Sequence, residues 1–137
     1  MENGKKKAAV LIYTSDNDLA KSLTLLLQDQ YKIHHTKFLA RACETVERRE
    51  VDLFIADLGL SLESGLRALE QIRSEDTEIP IIVFCPYQLR NVKLEMEIRQ
   101  RVNGLFHVPV NVEEIMKTIA QLLDSSKKTV RVMHTQD

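Results

Sequence analysis

Apolar residues along the chain form five short runs, and a segment with helical spacing follows each of them. The runs occupy residues 8–13, 31–37, 53–56, 81–85 and 105–108. All but the second are almost continuously apolar, which is typical of strands buried on both faces of a parallel sheet. Strands that alternate with helices also favour parallel pairing. The pattern therefore predicts an α/β fold.

The helical segments are marked by apolar residues that recur every three or four positions. Asp16 and Asp18 precede the first of these segments, and either carboxylate can cap a helix. Residues 92–98 fit a strand as well as a helix. We predict a helix there because Glu, Lys, Met and Leu are helix formers and because two parallel strands need a crossover between them. Gly104 is expected to cap this fourth helix, and the third helix is expected to open at residues 64–65.

The predicted elements make up a single domain, since a chain of 137 residues can bury one sizeable core. We predict a doubly wound, five-stranded parallel sheet over residues 8–124. Residues 1–7 are expected to be a leader, and residues 125–137, where the apolar pattern fades, a tail or the stub of a linker. Residues 31–37 contain two lysines and two histidines, which favours an edge position for the second strand.

Composition narrows the classes of partner. Apolar residues make up 44% of the chain and charged residues 28%, as in ordinary globular proteins. The 19 basic and 20 acidic residues are interspersed, so neither nucleic acid nor a membrane surface is expected as a partner. No apolar run approaches the about 20 residues that span a bilayer. The two cysteines, Cys43 and Cys85, indicate a reducing cytoplasm without disulfides.

Candidate chemistry lies at the carboxyl ends of the predicted strands, where ligands bind in open α/β sheets. Asp57 ends the third strand and is the candidate centre. Thr14 follows the first strand, while Cys85 and Val108 end the fourth and fifth. The four histidines show no metal-ligand spacing with other donors, and no Gly-rich nucleotide motif occurs.

Three stretches carry a family resemblance. Residues 52–58 read DLFIADL, residues 64–66 read SGL, and residues 80–83 read PIIV. Their order and spacing resemble the receiver domain of response regulators in two-component systems (CheY-like), over about residues 8–124. The resemblance implies a flavodoxin-like (βα)5 fold with strand order 2-1-3-4-5. It also implies that Asp57 occupies the phosphoacceptor position.

The same resemblance assigns roles to the residues around the acceptor. In the family an acidic pair and a backbone carbonyl hold Mg²⁺ beside the acceptor, and here those positions fall on Thr14, Ser15 and, for the carbonyl, Gly59, with Asp16 one place beyond the pair. The family's lysine before a proline falls on Val108. If Mg²⁺ binds at all, its ligands are expected to be the acceptor carboxylate and Asp16.

The family's switch positions are altered as well. The hydroxyl position at the end of the fourth strand is Cys85, and the aromatic position in the fifth strand is Leu105. A partner is therefore expected to recognise one constitutive conformation. Because each lost stabilising donor costs about 2.7–4 kcal/mol in other enzymes, we expect weak or absent Mg-dependent phosphorylation and no resident cofactor.

The function expected from these observations is signal transduction of two-component type by protein–protein contact, without enzymatic activity. The partner is expected to be a signalling protein or a histidine kinase, with a possible homodimer through the face of the fourth helix, fifth strand and fifth helix, about residues 89–123. Two alternatives stay open. One is a working receiver in which Asp57 accepts phosphate from a histidine kinase, with Asp16 or Asp18 holding the metal. The other is a flavodoxin-like ligand-binding module.

Overall fold

The computed structural model describes residues 7–59, 61–86 and 91–136, and it describes side chains as far as residue 124, Pro86 excepted. Five strands alternate with five helices. They are β1 Ala9–Tyr13, α1 Asn17–Leu27, β2 Lys32–Thr36, α2 Leu39–Glu47, β3 Leu53–Asp57, α3 Leu62–Glu75, β4 Ile81–Pro86, α4 Val92–Arg99, β5 Gly104–Val108 and α5 Val112–Gln136.

The strands form one parallel sheet in the order β2-β1-β3-β4-β5. This confirms the predicted doubly wound architecture and the helical assignment of α4. It also places β2 at an edge, as its basic and histidine residues indicated. The register aligns Leu11 of β1 with His34 on one side and with Phe54 on the other. All the strands therefore end at the same edge of the sheet.

Each face of the sheet is covered by helices, which explains why its central strands are apolar at consecutive positions. Helices α2, α3 and α4 pack on one face, and α1 and α5 pack on the other. Leu11 and Phe54 point into the first core, whereas Ile12 and Ile55 point into the second. Removing these apolar side chains from water is the main favourable term in the stability of the fold.

Three details differ from the sequence prediction. Helix α3 begins at Leu62, not at residues 64–65, because the side chain of Ser61 accepts a hydrogen bond from the Ser64 amide and caps it. Gly104 does not cap α4; it pairs with Ile82 as the first residue of β5. Helix α5 continues to Gln136, beyond the point where the apolar pattern fades. The assignment of residues 125–137 to a tail or linker stays a prediction.

Candidate functional site

The carboxyl ends of β1 and β3 bring Thr14 and Asp57 into direct contact. Asp57 is the last residue of β3, and Thr14 comes directly after β1. The Thr14 hydroxyl donates a hydrogen bond of 2.8 Å from Oγ1 to Oδ2 of Asp57. Because Thr14 is only 2% exposed, its hydroxyl needs a partner inside the protein, and the half-buried carboxylate of Asp57 supplies one.

The second carboxylate oxygen of Asp57 also accepts a bond. The backbone N–H of Gly59 donates to Oδ1 over 3.1 Å. Gly59 has φ +64, in the left-handed region that glycine enters without the steric cost of a Cβ. The turn after β3 therefore directs an amide back at the carboxylate. Both oxygens of Asp57 are held by neutral donors.

Thr14 is itself fixed by three neighbours. Its backbone N–H donates to the carbonyl of Thr36 over 3.1 Å, and its carbonyl lies 3.0 Å from Nε2 of His35. Its hydroxyl oxygen accepts from the backbone N–H of Asp16 over 3.0 Å. These contacts tie the residue to the end of β2 and to the start of α1, so the hydroxyl is preorganised toward Asp57.

The carboxylate of Asp16 caps helix α1. Its Oδ1 accepts hydrogen bonds from the backbone N–H groups of Asp18 (3.0 Å) and Leu19 (3.1 Å). Asp16 is thus the N-cap of α1, as the sequence indicated, and its side chain is exposed. Ser15, between Thr14 and Asp16, is exposed as well.

The Mg²⁺ site that the resemblance implies does not fit this set of donors. Mg²⁺ prefers carboxylate oxygens in near-octahedral geometry. Of the positions assigned to it, Asp57 carries a carboxylate whose two oxygens already accept hydrogen bonds, Thr14 offers a neutral hydroxyl, and the carboxylate of Asp16 caps a helix. Among the residues that the structure describes, no three His, Cys, Asp or Glu side chains are grouped so that they could hold a metal ion.

Cys85 lies in the core at the end of β4, on the face covered by α4. Burial is the main reason why the pKa of its thiol is raised to about 11, and the negative charges of Glu95 and Asp57 add to it, while Arg99 acts in the opposite direction. At neutral pH the side chain is a thiol rather than a thiolate.

The fifth strand offers no cation at the lysine position. Val108 is half-buried in the core on the side of α1 and α5, and its peptide bond to Pro109 is cis. Leu105, at the aromatic switch position, packs against the opposite core. An aliphatic side chain can neither bind a phosphoryl oxygen nor contribute charge. The described residues around Asp57 therefore contain only neutral hydrogen-bond donors.

Sequence reasoning missed a contact between α4 and β5. Nε2 of His107 lies 2.8 Å from Oε1 of Glu95. The bond to His107 is the largest cause of a lowered pKa at Glu95, and the charge of Arg99 also contributes. No local pattern in the sequence relates a strand histidine to a helix residue 12 positions earlier.

Apolar side chains are exposed on α4 and at the start of α5. Val92 and Met96, one helical turn apart on α4, are 70% and 57% exposed, and Val112 at the start of α5 is 50% exposed. Leu89, at one end of the predicted contact face, lies outside the described residues.

A comparison with family models identifies the class of protein. The model of the response regulator receiver domain matches residues 10–120. The chain therefore belongs to the response regulator receiver domain family, a group of two-component signalling modules that interact with histidine kinases and other signalling proteins. A search of curated protein sequences gives no significant match.

Solved structures share the fold. A signal receiver domain from Vibrio parahaemolyticus is 24% identical with a TM-score of 0.79, and the match covers 93% of this chain and 98% of that one. The CheY-like receiver domain protein from Methanospirillum hungatei is 17% identical with a TM-score of 0.79, over 90% of this chain and 99% of that one. NtrX from Brucella abortus, in complex with ADP, is 18% identical with a TM-score of 0.80, over 96% of this chain and 29% of that one.

No helix in the described part of the chain is both long enough and apolar enough to cross a membrane.

Proposed function

We propose that this receiver domain transmits signals by protein–protein contact and that Asp57 accepts phosphate weakly or not at all. The observation that carries the proposal is the hydrogen bond from the Thr14 hydroxyl to Oδ2 of Asp57. A neutral hydroxyl stands where the family resemblance expects a carboxylate that recruits a cation. The acceptor is therefore held in place, but its surroundings lack the charges that phosphoryl transfer requires.

Negative charge opposes the transfer of a phosphoryl group to Asp57. Attack by a carboxylate on a phosphoryl group brings several negative charges together, and catalysis of this step depends on positioning and on cations that offset them. Val108 supplies no cation, and Cys85 is a buried neutral thiol. A phosphoryl group on one oxygen of Asp57 would also displace the hydrogen bond that this oxygen now accepts, from Thr14 at Oδ2 or from Gly59 at Oδ1. Each of these features disfavours the phosphorylated state.

The contact surface proposed for partners is the face of α4, β5 and α5. Val92 and Met96 of α4 and Val112 of α5 expose apolar side chains, and exposed apolar area is a feature of interaction sites. The occupant proposed is a signalling protein, a histidine kinase or a second copy of the domain. On this account the domain is cytoplasmic, binds neither nucleic acid nor membrane, and catalyses no reaction of its own.

Intact-mass spectrometry tests the proposal. The protein is incubated with acetyl phosphate and Mg²⁺, alongside an Asp57→Asn variant that keeps the shape of the side chain. Little or no phosphoryl adduct is expected in either protein. A near-complete adduct in the wild type that disappears in Asp57→Asn would show a working receiver and overturn the proposal.

A further inference from the structure

The contact between Glu95 and His107 joins a helix to an edge strand. Glu95 lies in α4, and His107 is the penultimate residue of β5, which is paired only with β4. Their atoms Oε1 and Nε2 are 2.8 Å apart, and both side chains are partly shielded from water. A hydrogen bond in such a position is weakened less by solvent than one on an open surface.

Helix α4 has few other anchors. It is eight residues long, and Ile98 is its one fully buried residue. Leu94 packs only partly into the core. Short helices owe their stability to tertiary contacts rather than to their own hydrogen bonds. The bond from α4 to β5 therefore adds to the core packing of Ile98 and Leu94 in holding this helix in place.

We infer that Glu95 and His107 form a proton-responsive clasp, in which uptake of a proton by the imidazole tightens the attachment of α4 to β5. Imidazole is the side chain that changes charge between about pH 5 and pH 8. While the ring is neutral, one of its N–H groups can donate to the carboxylate. Once a proton from solvent binds the ring, the same contact becomes an ion pair, in which Coulomb attraction between opposite charges adds to the hydrogen bond.

The charged and titratable groups around the contact of Glu95 with His107 determine whether protonation strengthens or weakens it. From α4, Glu95 faces the imidazole directly, and Arg99 reaches the other carboxylate oxygen of Glu95 over 3.4 Å. From β4, Cys85 is the register partner of His107, and its thiol stays neutral at physiological pH. Helix α5 packs on the opposite face of the sheet. Among the contacts described for the ring, that with Glu95 is the direct contact with a charged group.

The clasp bears on partner binding through the residues next to it. Val92 and Met96 lie on the exposed side of the same helix. The strength of the attachment of α4 to β5 therefore affects how rigidly these apolar side chains are positioned for a partner. This consequence rests on the proposed function, in which the face of α4, β5 and α5 binds partners. The clasp would then make that face sensitive to protons rather than to phosphate on Asp57.

Amide hydrogen exchange of α4 tests the inference. Protection factors of the α4 amides, corrected for intrinsic exchange at each pH, are measured at pH 8 and pH 6 on the unphosphorylated protein without a phosphodonor. In the wild type we expect protection of α4 to rise about fivefold at pH 6. His107→Gln, which keeps a donor but cannot be protonated, should show no rise. His34→Gln, in β2 at the other edge of the sheet, is the matched control and should behave like the wild type.

A second variant guards against a general effect of replacing the histidine. Glu95→Gln keeps the acceptor and removes its charge, and we expect it to abolish the pH dependence as well. Unchanged protection of α4 between pH 8 and pH 6 in the wild type, or an equal rise in His107→Gln, would refute the clasp. Neither result depends on phosphorylation of Asp57, so failure of the clasp and failure of the proposed function are distinguishable.

Discussion

The Thr14 hydroxyl donates to Oδ2 of Asp57 over 2.8 Å, so a buried neutral group at the end of β1 holds the carboxylate at the end of β3. The family resemblance assigns to these two positions negative charges that lie around a cation. Thr14 instead provides a neutral hydrogen-bond donor to Asp57, which is the basis of the predictions for this end of the sheet.

The first prediction concerns Thr14. Thr14→Val keeps the shape of the side chain but removes the hydroxyl, so Asp57 loses a donor and the Asp16 amide loses an acceptor. We expect the free energy of unfolding to fall by about 1–2 kcal/mol, since bonds to charged groups contribute more than neutral ones. Thr14→Ser keeps the hydroxyl and should cost less. Urea denaturation checks both, and equal losses in the two variants would show that the hydroxyl contributes little.

The second prediction concerns the close approach of α3 to the turn after Asp57. A Cβ added at Gly65 would lie 2.8 Å from Cδ2 and 3.1 Å from Cβ of Leu58, which is buried. Although alanine is the better helix former by about 1 kcal/mol, we expect Gly65→Ala to destabilise the protein by about 1 kcal/mol through overpacking.

Gly104→Ala is the control for this effect, because its nearest contacts would be at 3.5 Å. We expect its stability to stay within about 0.5 kcal/mol of the wild type. Thermal or urea unfolding of both variants gives the comparison. A Gly65→Ala protein as stable as Gly104→Ala would mean that Leu58 moves aside without cost.

The third prediction concerns acid stability. Burial acts to raise the pKa of Asp76, but hydrogen bonds from the backbone of Glu78 and Ile79 and the ion pair with Arg49 outweigh it and lower the pKa. A lowered pKa in the folded state means that the carboxylate stabilises the protein above its unfolded pKa of about 3.9. That stabilisation is lost as the pH falls through the folded pKa.

We therefore expect the difference in unfolding free energy between the wild type and Asp76→Asn to shrink as the pH falls from about 6 to 3. Asparagine keeps an acceptor for the two amides but cannot form the ion pair with Arg49. Urea unfolding at each pH measures the difference. A difference that does not change with pH would mean that the charge of Asp76 adds no stability.

The fourth prediction concerns the two thiols. Burial raises the pKa of Cys85 to about 11 and also raises the pKa of the half-exposed Cys43. The thiolate is the reactive form of cysteine, and a reagent reaches it only where the side chain is exposed to solvent. We expect iodoacetamide at pH 8 to label Cys43 first in the folded protein, as peptide mapping would show. Preferential labelling of Cys85 would contradict its placement in the core.

The fold was largely predictable from the sequence because most of its strands are continuous apolar runs, whereas its helices have apolar residues at every third or fourth position. The run at residues 81–85 is apolar at every position, as a strand covered on both faces must be. The bounds of the elements were less predictable. Glycine is a common residue at the end of a helix, but pairing with Ile82 makes Gly104 the first residue of β5. That pairing cannot be inferred from neighbouring residues.

The site was predictable in its positions but not in its bonds. Asp57 and Thr14 could be placed at adjacent strand ends because the family resemblance implied the strand order. That Asp16 caps α1 depends on the path of the chain after β1. The contact of Glu95 with His107 depends on how α4 packs across β5. Side-chain contacts between distant segments follow from packing, which no local pattern specifies.

The central claim is that the neighbours of Asp57 have lost the capacity to support phosphorylation. Its most direct test compares the wild type with a variant carrying Thr14→Asp, Cys85→Thr and Val108→Lys, which returns the carboxylate, hydroxyl and ammonium to this edge of the sheet. Both are incubated with acetyl phosphate and Mg²⁺, and the phosphoryl adduct is followed by intact mass. We expect the wild type to react at least about 100-fold more slowly than the variant. A wild type that forms the adduct on Asp57 as quickly as the variant would contradict the account.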